Sequence, residues 1–175
     1  TSPVKQTRPS FVSRFPGAIT VRPSVDATCN GDTIYVAQGH YSVTESELLK
    51  GRSATLNIPH SLDIFGGYDS AFKEVTGRTV LSGDINGNDE IADGVLTGNE
   101  ENAYRVVTVQ KYCALTLCNF EIVGGNANGS VTTGAGIAGL GSPLILNNVI
   151  IRDNQSTGQG AGIYAAGQLL CTGCR

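Results

Sequence analysis

The sequence predicts an all-β protein of short stacked strands, a parallel β-helix (solenoid) of about five coils, on three observations. The first is composition: 175 residues hold 23 Gly and 6 Pro, only 15% are charged, and Met and Trp are absent. Gly and Pro are the poorest helix formers and the good charged formers are scarce, so long helices are disfavoured. Hydrophobic residues still make up 40% of the chain, enough for one core and too many for a disordered chain. The second is an internal repeat. Gly134-Ala135-Gly136-Ile137 recurs 26 residues on as Gly160-Ala161-Gly162-Ile163, and Leu115-Thr116-Leu117-Cys118 aligns 29 residues on with Leu144-Ile145-Leu146-Asn147. Two elements repeating at nearly one period indicate a stacked unit whose turns absorb small insertions. The third is texture: within each unit, short β-type runs are broken by Gly, Asn, Asp or Ser, and no apolar spacing sustains a helix.

The elements follow in order. Residues 1–25 form an extended, Pro-containing basic arm: its charges are Lys5, Arg8, Arg14 and Arg22, and Pro3, Pro9, Pro16 and Pro23 forbid a regular helix there. Residues 26–175 form the stacked unit. Strands are expected at 32–37 in the first coil, at 54–58, 62–65 and 79–82 in the second, and at 104–109 with 115–123 in the third. Ile137 with 144–151 makes a fourth, and Ile163 with Leu169 and Leu170 opens a fifth. Leu115, Leu117, Leu144 and Leu146 should face inward, and Thr116 and Ile145 outward. Like residues of successive coils should lie about 4.8 Å apart, which makes Asn119 over Asn148 a candidate hydrogen-bonded ladder. The chain lacks an initiator Met and an apolar signal core and stops in mid-coil, so it is expected to be a fragment of a longer protein.

Gly31-Asp32-Thr33-Ile34-Tyr35-Val36-Ala37-Gln38-Gly39-His40-Tyr41 resembles the opening block of many bacterial right-handed parallel β-helix surface proteins. Ile64-Phe65-Gly66-Gly67-Tyr68, the run from Val80 to Asp89 and Asn102-Ala103-Tyr104-Arg105-Val106-Val107 resemble its later blocks, in order. The Gly-Ala-Gly-Ile repeat, with Phe120-Glu121-Ile122-Val123-Gly124-Gly125-Asn126, is similar to the short repeats of polymorphic outer-membrane proteins and related adhesins. The resemblance spans residues 31–170. It implies a right-handed parallel β-helix exported to the cell surface or beyond it, and it is weak for any activity.

Charge excludes some functions. A formal net charge of −3 does not suit a nucleic-acid binder, which needs excess Lys and Arg to displace phosphate counterions. No apolar stretch is long enough to span a membrane. From Asp84 to Glu101 every charge is acidic, which marks 84–101 as an inserted loop. There Asp84, Asn86 and Asn88 alternate as oxygen ligands do in an EF-hand, and Asp89 and Asp93 add carboxylates, so these five residues are a candidate Ca²⁺ site. The pattern departs from that loop where Asp89 replaces Gly and Val95 replaces the bidentate Glu, and the plain alternative is a solvated insertion.

No catalytic constellation stands out. Gly134-x-Gly136-x-x-Gly139 matches a dinucleotide fingerprint, but Gly141, Ser142 and Pro143 follow where a helix must begin, so the glycines are assigned to packing and turns. The paired carboxylates of a glycoside hydrolase are absent. A lyase needs a basic residue beside a cation-bound uronate, for which Arg105, Lys111 and Arg152 near Asp153 are the available set. Cys113, Cys118, Cys171 and Cys174 are spaced too widely for a zinc ribbon, and five Cys in all leave at least one unpaired within the chain. His40 and His60 are isolated. Asn128 and Asn154 head glycosylation sequons that matter if the source glycosylates its secreted proteins. The six Tyr could offer sugar platforms, but core or rim packing is the simpler reading. The expectation is therefore a non-catalytic extracellular or cell-surface protein, in a bacterium associated with the outer membrane. Its role would be adhesion, envelope attachment or assembly, and its partner a surface protein, a glycan or further copies of itself. A polysaccharide lyase with its active site outside this chain and a self-assembling filament subunit are the alternatives.

Overall fold

The computed structural model describes residues 9–12, 21, 25–26, 28–43, 50–93 and 95–175. Strand makes up 43% of the protein and helix 3%, so the class is all-β. The strands are β1 (Pro9–Val12), β2 (Asp32–Ala37), β3 (Gly39–Ser42), β4 (Leu56–Ile58), β5 (Leu62–Tyr68), β6 (Thr79–Ser82), β7 (Glu90–Ala92), β8 (Val95–Thr97) and β9 (Val107–Val109). They continue as β10 (Leu115–Cys118), β11 (Phe120–Val123), β12 (Asn126–Ala127), β13 (Ile137–Gly139), β14 (Leu144–Asn147), β15 (Ile150–Ile151), β16 (Gln155–Ser156), β17 (Ile163–Ala165) and β18 (Leu169–Thr172).

Three sheets hold most of them. Sheet A has the order β1-β2-β5-β10-β14-β18, sheet B β3-β6-β11-β15 and sheet C β4-β9-β13-β17. All neighbouring strands in these sheets are parallel. From β4 onward the chain visits C, then A, then B, and repeats, so each circuit lays its strands beside those of the circuit before. Strands β2, β4–β6, β9–β11, β13–β15 and β17–β18 fall on the stretches expected as strands, and β3 (Gly39–Ser42) is an additional strand. The registers follow the two offsets: Leu115 pairs with Leu144 and Ile137 with Ile163.

Register puts like residues in columns, and the columns are the core. Ile34, Ile64, Leu117 and Leu146 are in register along sheet A, and all are buried. Tyr41, Leu81 and Ile122 do the same in sheet B, and Leu56, Val107 and Ile137 in sheet C. Each such side chain contributes about 1.5–3 kcal/mol on burial. Thr116 is half-buried and Ile145 exposed on the opposite face.

Corners show why particular small or polar residues stand where they do. Asn119 (φ 61°) and Asn148 (φ 53°) turn the chain from sheet A into sheet B in the left-handed region, which Asn tolerates better than other side chains. Gly136 packs so closely on the next circuit that a Cβ would collide with the Gly162 carbonyl. A strand and a turn follow it, not a helix, so the fingerprint-like glycines serve packing between circuits.

Two segments depart from this regularity. The basic arm enters the stack at β1, which pairs parallel with β2, and Val21 and Val25 are buried in the core. Without β1, β2 would present an open row of backbone donors and acceptors; Pro9, lacking an N–H, stands at the strand's first residue, where it is tolerated. Lys5, Arg8, Arg14 and Arg22 lie outside the described residues. Residues 84–102 leave the stack between β6 and β9 and return where Ala103 N donates to Gly83 O at 2.9 Å. They carry an antiparallel hairpin, β7–β8, not expected from the sequence, with Ile91 and Val95 exposed.

Candidate functional site

A cleft of about 260 Å³ lies on the outer face of sheet C. Strand alternation builds it: Leu56, Ile58, Val107 and Val109 point into the core, so Asn57 and Thr108, flanked by Thr55 and Gln110, point out. These form a polar floor. Thr55 Oγ1 lies 3.1 Å from Thr108 Oγ1, and Gln110 Nε2 donates to Asn57 Oδ1 at 2.5 Å. Arg52 and Tyr104 make one wall, with the guanidinium carbon 4.3 Å from the ring centroid. Ser53, Arg105, Val131 and Leu140 complete the lining.

The two arginines give the cleft its chemistry. Arg52 donates through Nε to Asn102 O at 2.7 Å and through Nη2 to Asn126 O at 2.6 Å. Arg105 donates through Nε to Thr133 O at 2.9 Å and through Nη2 to Thr133 Oγ1 at 3.0 Å. Among the described residues neither forms an ion pair with a carboxylate, and burial pulls the Arg105 pKa below the usual arginine value. A partly desolvated cation held by neutral acceptors favours an anion brought from outside. The lining supplies two guanidinium groups, hydroxyls and amides, which are donors and positive charge suited to recognising an anion.

The residues singled out from sequence are distributed as follows. Asn148 Nδ2 donates to Asn119 Oδ1 at 2.8 Å, and Arg78 continues the column by donating to Asn148 Oδ1 at 2.6 Å and to its carbonyl at 2.5 Å. Of the acidic set, Asp84 accepts from the backbone of Gly87, Asn88 and Asp89, which occupies both its oxygens with its own loop. Asp89 turns inward to accept from Asn102 Nδ2 at 2.8 Å. Asp93 is exposed at the hairpin turn with φ 52°, and Asn86 and Asn88 are exposed. Among the described residues no group of three or more His, Cys, Asp and Glu is placed to hold a metal ion.

Arg105, Lys111 and Arg152 each have separate partners. Arg152 pairs with Glu121 and Asp153, Lys111 sits over Tyr112, and Arg105 alone lies in the cleft. The five cysteines are free thiols. Asn147 Nδ2 lies 3.5 Å from Cys118 Sγ, its register partner, and burial and then Cys174 push the Cys171 thiol pKa up. Asn128 is exposed just ahead of residues 129–133, the cleft's rim, which carry Val131 and the Arg105 partner Thr133, whereas Asn154 Nδ2, the atom a glycan would occupy, donates to the carbonyls of Ile122 and Arg152. His60 Nε2 is 2.8 Å from Thr28 Oγ1. Tyr35 stacks on Phe65 and meets Tyr68 edge-on outside the core.

Arg52 carries no motif in the sequence, and Arg105 enters there as a possible lyase base and within the block 102–107. The two are 53 residues apart and meet because sheet C places β4 beside β9. Comparison of the chain with protein-family models, with curated proteins and with solved structures finds no match. No helix among the described residues is long and apolar enough to cross a membrane.

Proposed function

We propose that this chain belongs to a secreted or surface-displayed right-handed parallel β-helix protein whose cleft on sheet C binds an anionic extracellular glycan, so that its role is attachment. The observation that carries the reading is the pair of guanidinium groups, without carboxylate partners among the described residues, over a floor of hydroxyls and amides. Planar guanidinium donors fit a uronate carboxylate or a sulfate, and hydroxyl and amide groups fit sugar hydroxyls. The cyclic order of the parallel sheets and the 26- and 29-residue offsets support the β-helix. The likeness of 31–41 to the opening of bacterial surface proteins supports export, with a bacterial outer-membrane association.

Calorimetric titration with a polyuronate and with its carboxyl-reduced, neutral counterpart tests this. Binding to the polyuronate alone is expected, weakened about 10- to 100-fold by Arg105→Gln, since a hydrogen bond to a charged group contributes about 1.5–3 kcal/mol. Equal affinity for both polymers would refute it. A lyase is the second reading, favoured by the place of Arg105, one of its candidate basic residues, in the cleft. Unsaturated-product absorbance during incubation with the polyuronate would establish it in place of simple binding. A filament subunit draws on Leu169 and Leu170, exposed along β18, and concentration-independent light scattering would oppose it.

A further inference from the structure

The base of the 84–102 insertion buries more side-chain acceptors than its donors can satisfy. Asp89 Oδ1, Glu101 Oε1, Asn102 Oδ1 and Asn126 Oδ1 are buried without a hydrogen-bond partner. Asn102 and Asn126 themselves are 0% and 2% exposed. Hydrogen bonds link Asp89, Asn102 and Asn126, and Glu101, next to Asn102 in the chain, is near enough to act on the Asp89 charge. Asn102 Nδ2 donates to Asp89 Oδ2 at 2.8 Å, and Arg52 joins the carbonyls of Asn102 and Asn126. Asn126 Nδ2 donates to Asn99 O at 2.7 Å. Burial, then the charges of Asp84, Glu101 and Asp153, raise the Asp89 pKa against the hydrogen bond from Asn102.

Reorienting the amides does not relieve the excess. Turning Asn102 over would set its oxygen against a carboxylate oxygen, and turning Asn126 over would set its oxygen against a carbonyl. Asn99 Nδ2 is the one unpartnered buried side-chain nitrogen among the described residues, with two hydrogens for four oxygens. A buried acceptor left unpaired carries its full desolvation cost, and a hard cation offsets several such acceptors at once.

We propose that a Ca²⁺ ion binds at this corner, ligated by Asp89, Glu101, Asn102 and Asn126, and pins the insertion to the circuit formed by β9–β11. Two carboxylates balance a divalent charge, and the amide carbonyls supply further hard oxygen donors. Ca²⁺ suits the set better than Mg²⁺, which dehydrates reluctantly and demands near-ideal octahedral geometry. Of the ligands expected from sequence only Asp89 is retained, because Asp84 is engaged by its own loop and Asp93 stands at the hairpin turn. The proposal does not rest on the ligand assigned to the cleft.

Thermal melts of the whole chain in EDTA, CaCl₂ and MgCl₂ test it, with equilibrium dialysis against Ca²⁺ in about 0.15 M NaCl. Ca²⁺ at a hundredfold excess over its Kd is expected to raise Tm by about 5–10 °C, with a smaller rise in MgCl₂ and one ion bound per chain. Asp89→Asn with Glu101→Gln should abolish the increment without lowering Tm in EDTA, because two half-buried like charges that repel each other are removed. Asp84→Asn with Asp93→Asn should keep it in full. The same Tm in Ca²⁺ and EDTA, no ion retained on dialysis, an equal rise in MgCl₂, or an increment that survives the buried double substitution would each overturn the assignment. Because dialysis uses the unaltered chain, the result stands even if that variant does not fold.

Discussion

The circuits from β10 to β18 and the 84–102 insertion obey different rules. In the stack, a residue's position follows from its partner one circuit away: Leu117 lies between Ile64 and Leu146, all apolar and all buried. In the insertion no such partner exists. The two sheet-A strands that flank it begin at Leu62 and Leu115, 53 residues apart, against 29 for the next pair. The inserted chain is instead organised by polar groups: Asp84 caps its own loop, Asp89 reaches Asn102, and Ala103 closes the base. Repetition provides apolar burial, whereas an insertion must settle its buried polar groups locally, which is where unpaired oxygens collect.

That contrast predicts a graded series of effects on unfolding free energy. The largest is expected from Leu117→Ala, which empties the middle of a buried column and should cost about 2–5 kcal/mol in chemical denaturation. A loss below about 1 kcal/mol would mean that the columns are not the core. Gly136→Ala should cost about 1–3 kcal/mol, since the added carbon must displace the Gly162 carbonyl. Asn148→Ala should cost about 1–2 kcal/mol through the left-handed backbone and the lost bond to Asn119, and Asn148→Gly should recover most of it. Smallest of all, Ile91→Ser on the exposed hairpin should stay within about 0.5 kcal/mol. A larger effect there would show that the hairpin carries part of the core after all.

Legibility in the sequence followed the same division. The pairing of Leu115 with Leu144 and of Ile137 with Ile163 was readable because equivalent residues repeat and strand alternation assigns each a face. β12 and β16 were not, because two-residue strands such as Asn126–Ala127 and Gln155–Ser156 leave no periodic trace. The β7–β8 hairpin did leave one: Asp93-Gly94 between Glu90-Ile91-Ala92 and Val95-Leu96-Thr97 is a two-residue turn signal, set within a run of acidic charges. For the cleft, only the strand runs 54–58 and 104–109 were visible. The insertion between β4 and β9 breaks the period that would align these strands in sequence, so the meeting of Arg52 with Tyr104 and Arg105 appears only in three dimensions.

The cleft is tested most directly by amide hydrogen exchange with and without an oligouronate. Slowed exchange is expected at 52–57, 104–110 and the 129–133 rim, with the aromatic face of Tyr35, Phe65 and Tyr68 unchanged. Protection confined to that aromatic face, or none at all at saturating ligand, would contradict an anion-binding cleft on sheet C.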